Sequence, residues 1–540
     1  MDSLYNGRPI SPSVTLRGGL KPGYDKVLTP ESLGFVADLA RGFTDRIEEL
    51  LVLRRVVQSR YDVGLHPRFR PETRHIRESD WRCAPVPEEL LCRRVELIGP
   101  VSRKRVIEGL NSGADVFMAD FEDGTSPTWD NMIRGQINLY DAARREIRFE
   151  DPVSGRVHEV SESPATLFVR PRGLHLWETH VEVAGRAVPA GLFDFGLFLF
   201  HNASELLERG TAPYFYLPKI QSRLEARLWN QVFVAAQTAL GIPVGTIKAT
   251  LLIETLPAAF EMDEILFELR DHSAGLNCGR WDYLFSYIKT FREHTNRIIP
   301  DRSLLGMEQP FVAAYRKLVV QTCHRRGVHA IGGMAAEIPI EESAEDNQAA
   351  LKRARQETLR GVLLGHDGTW VGHPALVPVA MEVFEEQLSG PNQLGRTLRG
   401  EVVSEADLLA HPVGRRTEEG LLQNVRVGLR YLAAWLSGEG CVPIDHLMED
   451  AATAEIARSQ LWQWIHHGVE LEGGSVVTAS WVQTLIDEEL VRLEAELEES
   501  GERGDKAGAA ALLFGQLVSD RHFHEFLTLP GYEQLRTDYR

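Results

Sequence analysis

The chain has 540 residues, 43% of them hydrophobic and 25% charged, enough to bury a large core. At about 150 residues per domain that length allows three or four units, and one barrel of about 250 residues with flanking domains fits equally well. A formal net charge of −18 argues against a general nucleic-acid or anionic-membrane binder, although a local basic pocket can still hold an anionic substrate.

The five cysteines, Cys83, Cys92, Cys278, Cys323 and Cys441, are scattered without a CxxC pair, so reduced thiols are expected rather than a disulfide framework. Met1–Ile10 has no signal-peptide pattern, and no apolar run approaches 18 residues. The C-terminal Thr537-Asp538-Tyr539-Arg540 is not a peroxisomal address, which makes the cytoplasm the expected location.

Residues 1–92 lack a strand–helix rhythm. Phe35, Leu39, Phe43, Ile47 and Leu50 recur at helical spacing, which predicts a helix over Pro30–Arg55 with Thr29 as its N-cap and Pro30 at its first position. From Val95 short apolar runs alternate with amphipathic stretches. The runs are Val95–Gly99, Val116–Phe121, Thr166–Arg170, Tyr214–Pro218, Thr250–Glu254, Gly275–Cys278, Ala330–Gly332 and Val362–Gly365. Strands alternating with helices mean βαβ units and a parallel sheet, and eight of them suggest closure into a (β/α)8 barrel over 93–384, although an open doubly wound sheet can also carry that many strands. Residues 129–165 and 175–191 interrupt the rhythm and read as loop insertions, the second as a hairpin around Ala184-Gly185-Arg186. After about residue 385 the pattern predicts helices alone, over Leu421–Ser437, Ala451–His467, Ala479–Leu497 and Lys506–Leu517.

Barrel active sites sit at the C-terminal ends of the strands. The runs there end in ionisable groups: Asp120, Glu122 and Asp123, then Arg170 and Arg172, Lys219, Glu254, Asp282, and His366 with Asp367. Carboxylates in that position suit a hard oxygen-seeking cation such as Mg²⁺. No HExxH, Walker loop, GxGxxG after a strand or GxSxG is present, which disfavours zinc, nucleotide phosphates and a serine nucleophile. Each residue also has a purely structural reading. Asp282 and Asp450 could be N-caps, Glu122 or Asp123 could cap a turn, and Arg170 and Arg172 could pair with those acids.

Two segments narrow these alternatives. Met118–Asn131 (MADFEDGTSPTWDN) and Ala249–Glu264 (ATLLIETLPAAFEMDE), the latter continued by Leu269–Tyr283, resemble malate synthase of the shorter isoform A type. The resemblance continues through Phe168–Gly173, Trp370–Pro374 and Leu447–Ile456. It implies a barrel with an N-terminal helical clasp (1–92) and a C-terminal all-helical plug (385–540), joining acetyl-CoA to glyoxylate and hydrolysing the malyl thioester. It further implies Arg170 as the active-site arginine, Asp450 as the base, and Glu254 and Asp282 as Mg²⁺ ligands. Gly279, Arg280 and Trp281 would hold glyoxylate, Pro374 would lie near acetyl-CoA, and Glu122 and Asp123 would stand by the metal-bound waters. Gly124-Thr125 departs from the family pattern, in which Ser or Ala followed by Asn or Ser is expected. Two other readings compete: a metal-dependent CoA-ester lyase or aldolase, and a catalytically silent scaffold.

Overall fold

Side chains alternate across a β-strand, so every second residue faces the barrel interior. The computed structural model describes residues 9–11, 14–340, 343–398, 400, 402–501 and 504–538. Eight parallel strands close into a barrel in sequence order: β1 (Val95–Pro100), β2 (Val116–Asp120), β3 (Thr166–Arg170), β4 (Tyr214–Leu217), β5 (Lys248–Ile253), β6 (Ser273–Cys278), β7 (His329–Ala335) and β8 (Gly368–Val371). Val116, Met118, Phe168, Tyr214, Tyr216, Leu252, Ile331 and Trp370 form one buried cluster, the barrel's filling. The intervening residues, Phe117, Ala119, Val169, Phe215, Leu217, Leu251 and Ile253, join the larger core shared with the surrounding helices. The inward parity of β2, β3 and β5 therefore reaches Asp120, Arg170 and Glu254 at the C-terminal mouth.

Lower in the barrel, Arg93 and Glu96 are fully buried and paired at 2.8 Å. Arg93 also donates to Tyr216 and Thr250, and the Trp370 indole donates to Glu96 at 3.1 Å. Buried charges need such pairing, and this network fixes Trp370 beside the guanidinium of Arg170, 5.8 Å from its ring centroid.

The predicted N-terminal helix runs Pro30–Asp62, and Thr29 and Ser32 form a reciprocal capping box at its start. The predicted hairpin is Trp177–Val183 with Arg186–Pro189. It turns at Ala184 and Gly185, both at positive φ, as a tight hairpin requires. Val14–Leu16 pairs with it, so a strand from before the barrel caps an insertion after β3.

Three expectations need correction. The run Val362–Gly365 is no strand. Val362 continues the buried stripe of Ala354, Thr358 and Gly361 on the helix Ala344–Leu364, which Gly365 ends at φ 119°. The eighth strand is Gly368–Val371, so His366 and Asp367 precede it instead of standing at its active end. Residues 129–165 are not wholly an insertion either, because Thr128 caps a regular helix, Trp129–Ala143, leaving the small hairpin Arg148–Glu150 with Val157–Glu159 as the addition. The C-terminal region holds the predicted helices, as Glu418–Leu436, Ala451–His466, Ala479–Ser500 and Ala507–Ser519, with a further one at Thr528–Asp538. It also contains a two-stranded hairpin, Val442–Ile444 with Leu447–Glu449, which an all-helical reading misses. The segments read for a leader and a terminal address lie partly outside the described residues. Among the described residues no helix is long and apolar enough to cross a membrane.

Candidate active site

Three carboxylates converge at the mouth. One oxygen from each of Asp123, Glu254 and Asp282 lies within 4.8 Å of the other two, and all three residues are buried. Asp123 comes from the loop after β2, Glu254 follows β5, and Asp282 sits in the first turn of the helix Arg280–Thr290 after β6. The Lys219 ammonium reaches Asp123 at 2.8 Å, Asp282 at 2.9 Å and Glu122 at 3.4 Å. Burial opposes its charge, but the acids outweigh burial and hold the lysine well above its ordinary range. Burial raises Glu122, Glu254 and Asp282. Asp123 is lowered in spite of burial, because Lys219 and Arg170 face it.

Lys219 adopts a left-handed backbone, φ 56°, which turns its amide onto the Glu254 carboxylate at 2.5 Å. The other oxygen of Glu254, Oε2, is buried without a hydrogen-bond partner, and Oε2 of Glu122 has the Lys219 ammonium no nearer than 3.4 Å. An all-oxygen donor set with unmet acceptors fits a hard divalent cation. Gly279 permits the packing: a Cβ there would lie 2.6 Å from the Glu254 Cβ.

Arg170 forms a two-point pair with Asp120, Nε to Oδ1 at 2.6 Å and Nη2 to Oδ2 at 2.5 Å. Its remaining terminal nitrogen, Nη1, faces Asp123 at 3.3 Å and Glu122 at 4.0 Å. Asp120 also accepts the amides of Glu122 and Gly124, at 2.9 and 2.6 Å, and so shapes the whole loop after β2. A Cβ at Gly124 would stand 2.7 Å from Asp120 Oδ2, so the Gly124-Thr125 departure matches a tightly drawn loop. Thr125 completes it by donating to the Asp120 carbonyl at 2.6 Å.

Asp450 enters from the C-terminal helices. It is the N-cap of Ala451–His466, accepting the Thr453 amide at 3.2 Å, and the Thr453 hydroxyl accepts the Asp450 amide in return. The Ala451 amide approaches the Asp123 carbonyl at 3.4 Å, which places this helix start against the β2 loop. Burial first, then the charge of Asp123, pushes Asp450 up to about 8, although Arg170 pulls the other way.

The same loop is held from the helix Glu418–Leu436. Ser126 donates to the Trp435 carbonyl at 2.7 Å, and the Tyr431 hydroxyl donates to the Asp123 carbonyl at 3.4 Å. Elsewhere on the barrel, Arg302, after the helix Arg280–Thr290, pairs with Glu449 of the C-terminal hairpin at 2.7 Å.

Domain models for malate synthase match along most of the chain: the N-terminal domain over residues 13–75, the TIM barrel domain over 166–411 and the C-terminal domain over 415–535. The malate synthase of Myxococcus xanthus is 56% identical over 97% of this chain and 97% of its own length. The chain belongs to the malate synthase family. A glyoxysomal malate synthase of Cucumis sativus is 48% identical over 98% of this chain and 95% of its own, and a malate synthase of Oryza sativa is 51% identical over 96% and 94%. The chain is thus an enzyme of that family, which removes the scaffold reading.

Of the malate synthase residues expected from the sequence, Arg170, Glu254, Asp282, Glu122, Asp123 and Asp450 come together at one end of the barrel. Gly279 is the N-cap of the helix carrying Asp282 and offers no side-chain cap, so the first amides of that helix have no partner within it. Arg280 and Trp281 stack on each other at 4.3 Å and line a cavity of about 370 Å³ with Met448 and Glu449. Pro374 is half-buried at the start of the short turn Pro374–Leu376 after β8. The structural reading that pairs the arginines with Glu122 and Asp123 holds for Arg170 and fails for Arg172. Arg172 pairs with Asp194 and Glu178, away from the cluster, whereas Arg170 pairs structurally and still presents one nitrogen to the site. Asp120 and Lys219 stand among the strand-end charges of the sequence without a motif that marks a role for them; the inward parity of Met118 and Asp120 is the local signal for the first.

Proposed function

We propose that this protein condenses acetyl-CoA with glyoxylate and hydrolyses the malyl thioester, with Asp450 as base, Arg170 as the enolate's partner and Mg²⁺ as the metal. The observation that carries this reading is the burial of Asp450, from the C-terminal helices, against a barrel mouth that holds both Arg170 and three convergent carboxylates.

Glu254 and Asp282, joined by Asp123, would hold Mg²⁺. Bound there, the ion supplies polarisation of the glyoxylate aldehyde and neutralises its carboxylate. The amides at the start of Arg280–Thr290, at the positive end of the helix dipole, suit the substrate carboxylate. Asp450 takes a proton from the acetyl methyl. An ordinary carboxylate is a weak base for this carbon acid, and the raised affinity of Asp450 for a proton narrows the mismatch. Negative charge then develops on the thioester oxygen, where the third nitrogen of Arg170 can donate a hydrogen bond from a guanidinium that Asp120 already holds fixed. Lys219 keeps the acidic cluster tolerable and anchors Glu254 through its own amide. A CoA-ester lyase needs no hydrolysis of the thioester, so one assay separates the readings. Acetyl-CoA, glyoxylate and Mg²⁺ should release free thiol together with malate. Condensation without thiol release would overturn the synthase reading.

A further inference from the structure

A cavity outside the site lies between the C-terminal half of the helix Pro30–Asp62, the segment 63–72, the turns after β4 and β5, and residues 405–409, with a volume of about 610 Å³. That size falls within the range of small-molecule sites, roughly 300–1,000 Å³. Its lining includes neither Arg170, Asp450 nor any of the three convergent carboxylates.

Its walls combine apolar surface with arginine. Leu53, Leu65, Phe260 and Leu409 supply the apolar part. Five arginines line it, and their partners are unevenly shared. Arg70 and Arg223 are taken by Glu261, and Glu405 accepts the Phe69 amide at 2.8 Å. Arg60 and Arg68 have no ion pair among the described residues and are exposed. Arg54 is buried. Its Nε and Nη2 grip Glu225, and Nη2 also donates to the Lys219 carbonyl at 2.8 Å. Its remaining nitrogen, Nη1, is buried without a partner. A chain of net charge −18 thus keeps three guanidinium groups with unused donors around one cavity whose wall is half apolar and which Glu72 and Glu405 also line. Unpaired cationic donors in a concave apolar setting are what an organic anion requires.

We infer that this cavity binds a small organic anion with an apolar body, at a site separate from the carboxylate cluster. Arg60 and Arg68 meet the anionic group, and Leu53, Leu65, Phe260 and Leu409 cover the apolar part. The inference is independent of the catalytic roles proposed above.

The probe is anilinonaphthalene sulfonate, an aromatic anion that fluoresces when shielded from water, titrated into the full-length protein. Saturable one-to-one binding is expected, undisturbed by saturating glyoxylate, Mg²⁺ and acetyl-CoA. The double variant Arg60→Ala with Arg68→Ala should weaken it by roughly tenfold, the loss of a charge-assisted hydrogen bond. Lysine at both positions should restore most of the affinity. Leu65→Glu, which adds a repelling charge at an exposed rim position, should weaken it again. All of these positions are exposed, so folding is retained, and equal thermal midpoints check this. Unchanged affinity in the double alanine variant, displacement by the substrates, equally tight binding of a neutral naphthylamine, or no saturable binding would each overturn the site.

Discussion

Asp120 and Arg170 occupy paired positions on neighbouring strands and lock together through two hydrogen bonds, both side chains almost wholly buried. The pair leaves one guanidinium nitrogen facing the acidic cluster. Arg170→Lys cannot reproduce a planar two-point grip with a third donor held in place. It should fold and still take up Mg²⁺, while kcat falls by about 10²–10³, the usual loss for removing one donor to a developing oxyanion. Steady-state kinetics beside Mg²⁺ titration calorimetry would check this. Near-normal kcat would remove Arg170 from the reaction.

Asp450 is both an N-cap and the candidate base, and one substitution separates the two roles. Asn caps helices about as well as Asp, so Asp450→Asn should keep the thermal midpoint and acetyl-CoA binding. Malate formation should fall by about 10²–10⁴, the contribution typical of general-base catalysis. A stable Asn variant that still makes malate would show that another group takes the proton.

Chelation should abolish malate formation and Mg²⁺ should restore it. Among single variants, Glu254→Gln, Asp282→Asn and Asp123→Asn should each weaken Mg²⁺ binding measured directly by calorimetry. The Asp123 variant is the informative one. A ligand role predicts a loss comparable to the other two, and a role limited to the surrounding waters predicts a smaller one.

The C-terminal helices reach the barrel through a close backbone approach. A Cβ on Gly440 would fall 2.4 Å from Thr125 Cα and 2.5 Å from the Gly124 carbonyl, and backbone cannot step aside as a side chain can. Gly440→Ala should therefore cost about 1–3 kcal/mol as overpacking and displace the β2 loop that carries Asp123. The expected signature is a lowered thermal midpoint with a disproportionate loss of turnover. Full activity would mean that the plug seats elsewhere.

Several buried histidines make the fold acid-sensitive. Burial lowers His272 and His329 to about 4 and His366 to about 3, well under the value of 6.5 expected when unfolded. The unfolded chain then binds more protons than the folded one between those limits, so stability is lost as pH falls from 6.5 toward 3. His366 is wholly buried, beside the Arg316 guanidinium, which also opposes its protonation. His366→Leu should flatten this loss in a series of thermal midpoints against pH. An unchanged slope would show that His366 does not carry it.

Much of the barrel was legible because β-strand alternation and helical spacing are local. The inward parity of Val116, Met118 and Asp120 needs only the neighbouring residues, and so does the Thr29 cap. The eighth strand was misplaced for a related reason. Val362–Gly365 is apolar because it ends a buried helical stripe, whereas the true strand, Gly368–Val371, is four residues long and offers no run to detect. Asp282 and Asp450 could be read as caps from local pattern, and only the family resemblance suggested more.

What the sequence determined by itself was the periodicity, the caps and the charged strand ends, because these depend on residues within a few positions of one another. The tertiary structure decided which charges meet. Asp123 faces the amide of Ala451, and Lys219 reaches into the cluster of Asp123 and Asp282, across separations in sequence that no local pattern encodes. Such encounters follow from barrel closure, from the left-handed turn at Lys219 and from the close seating of Gly440 on the β2 loop, and each of these is a property of packing.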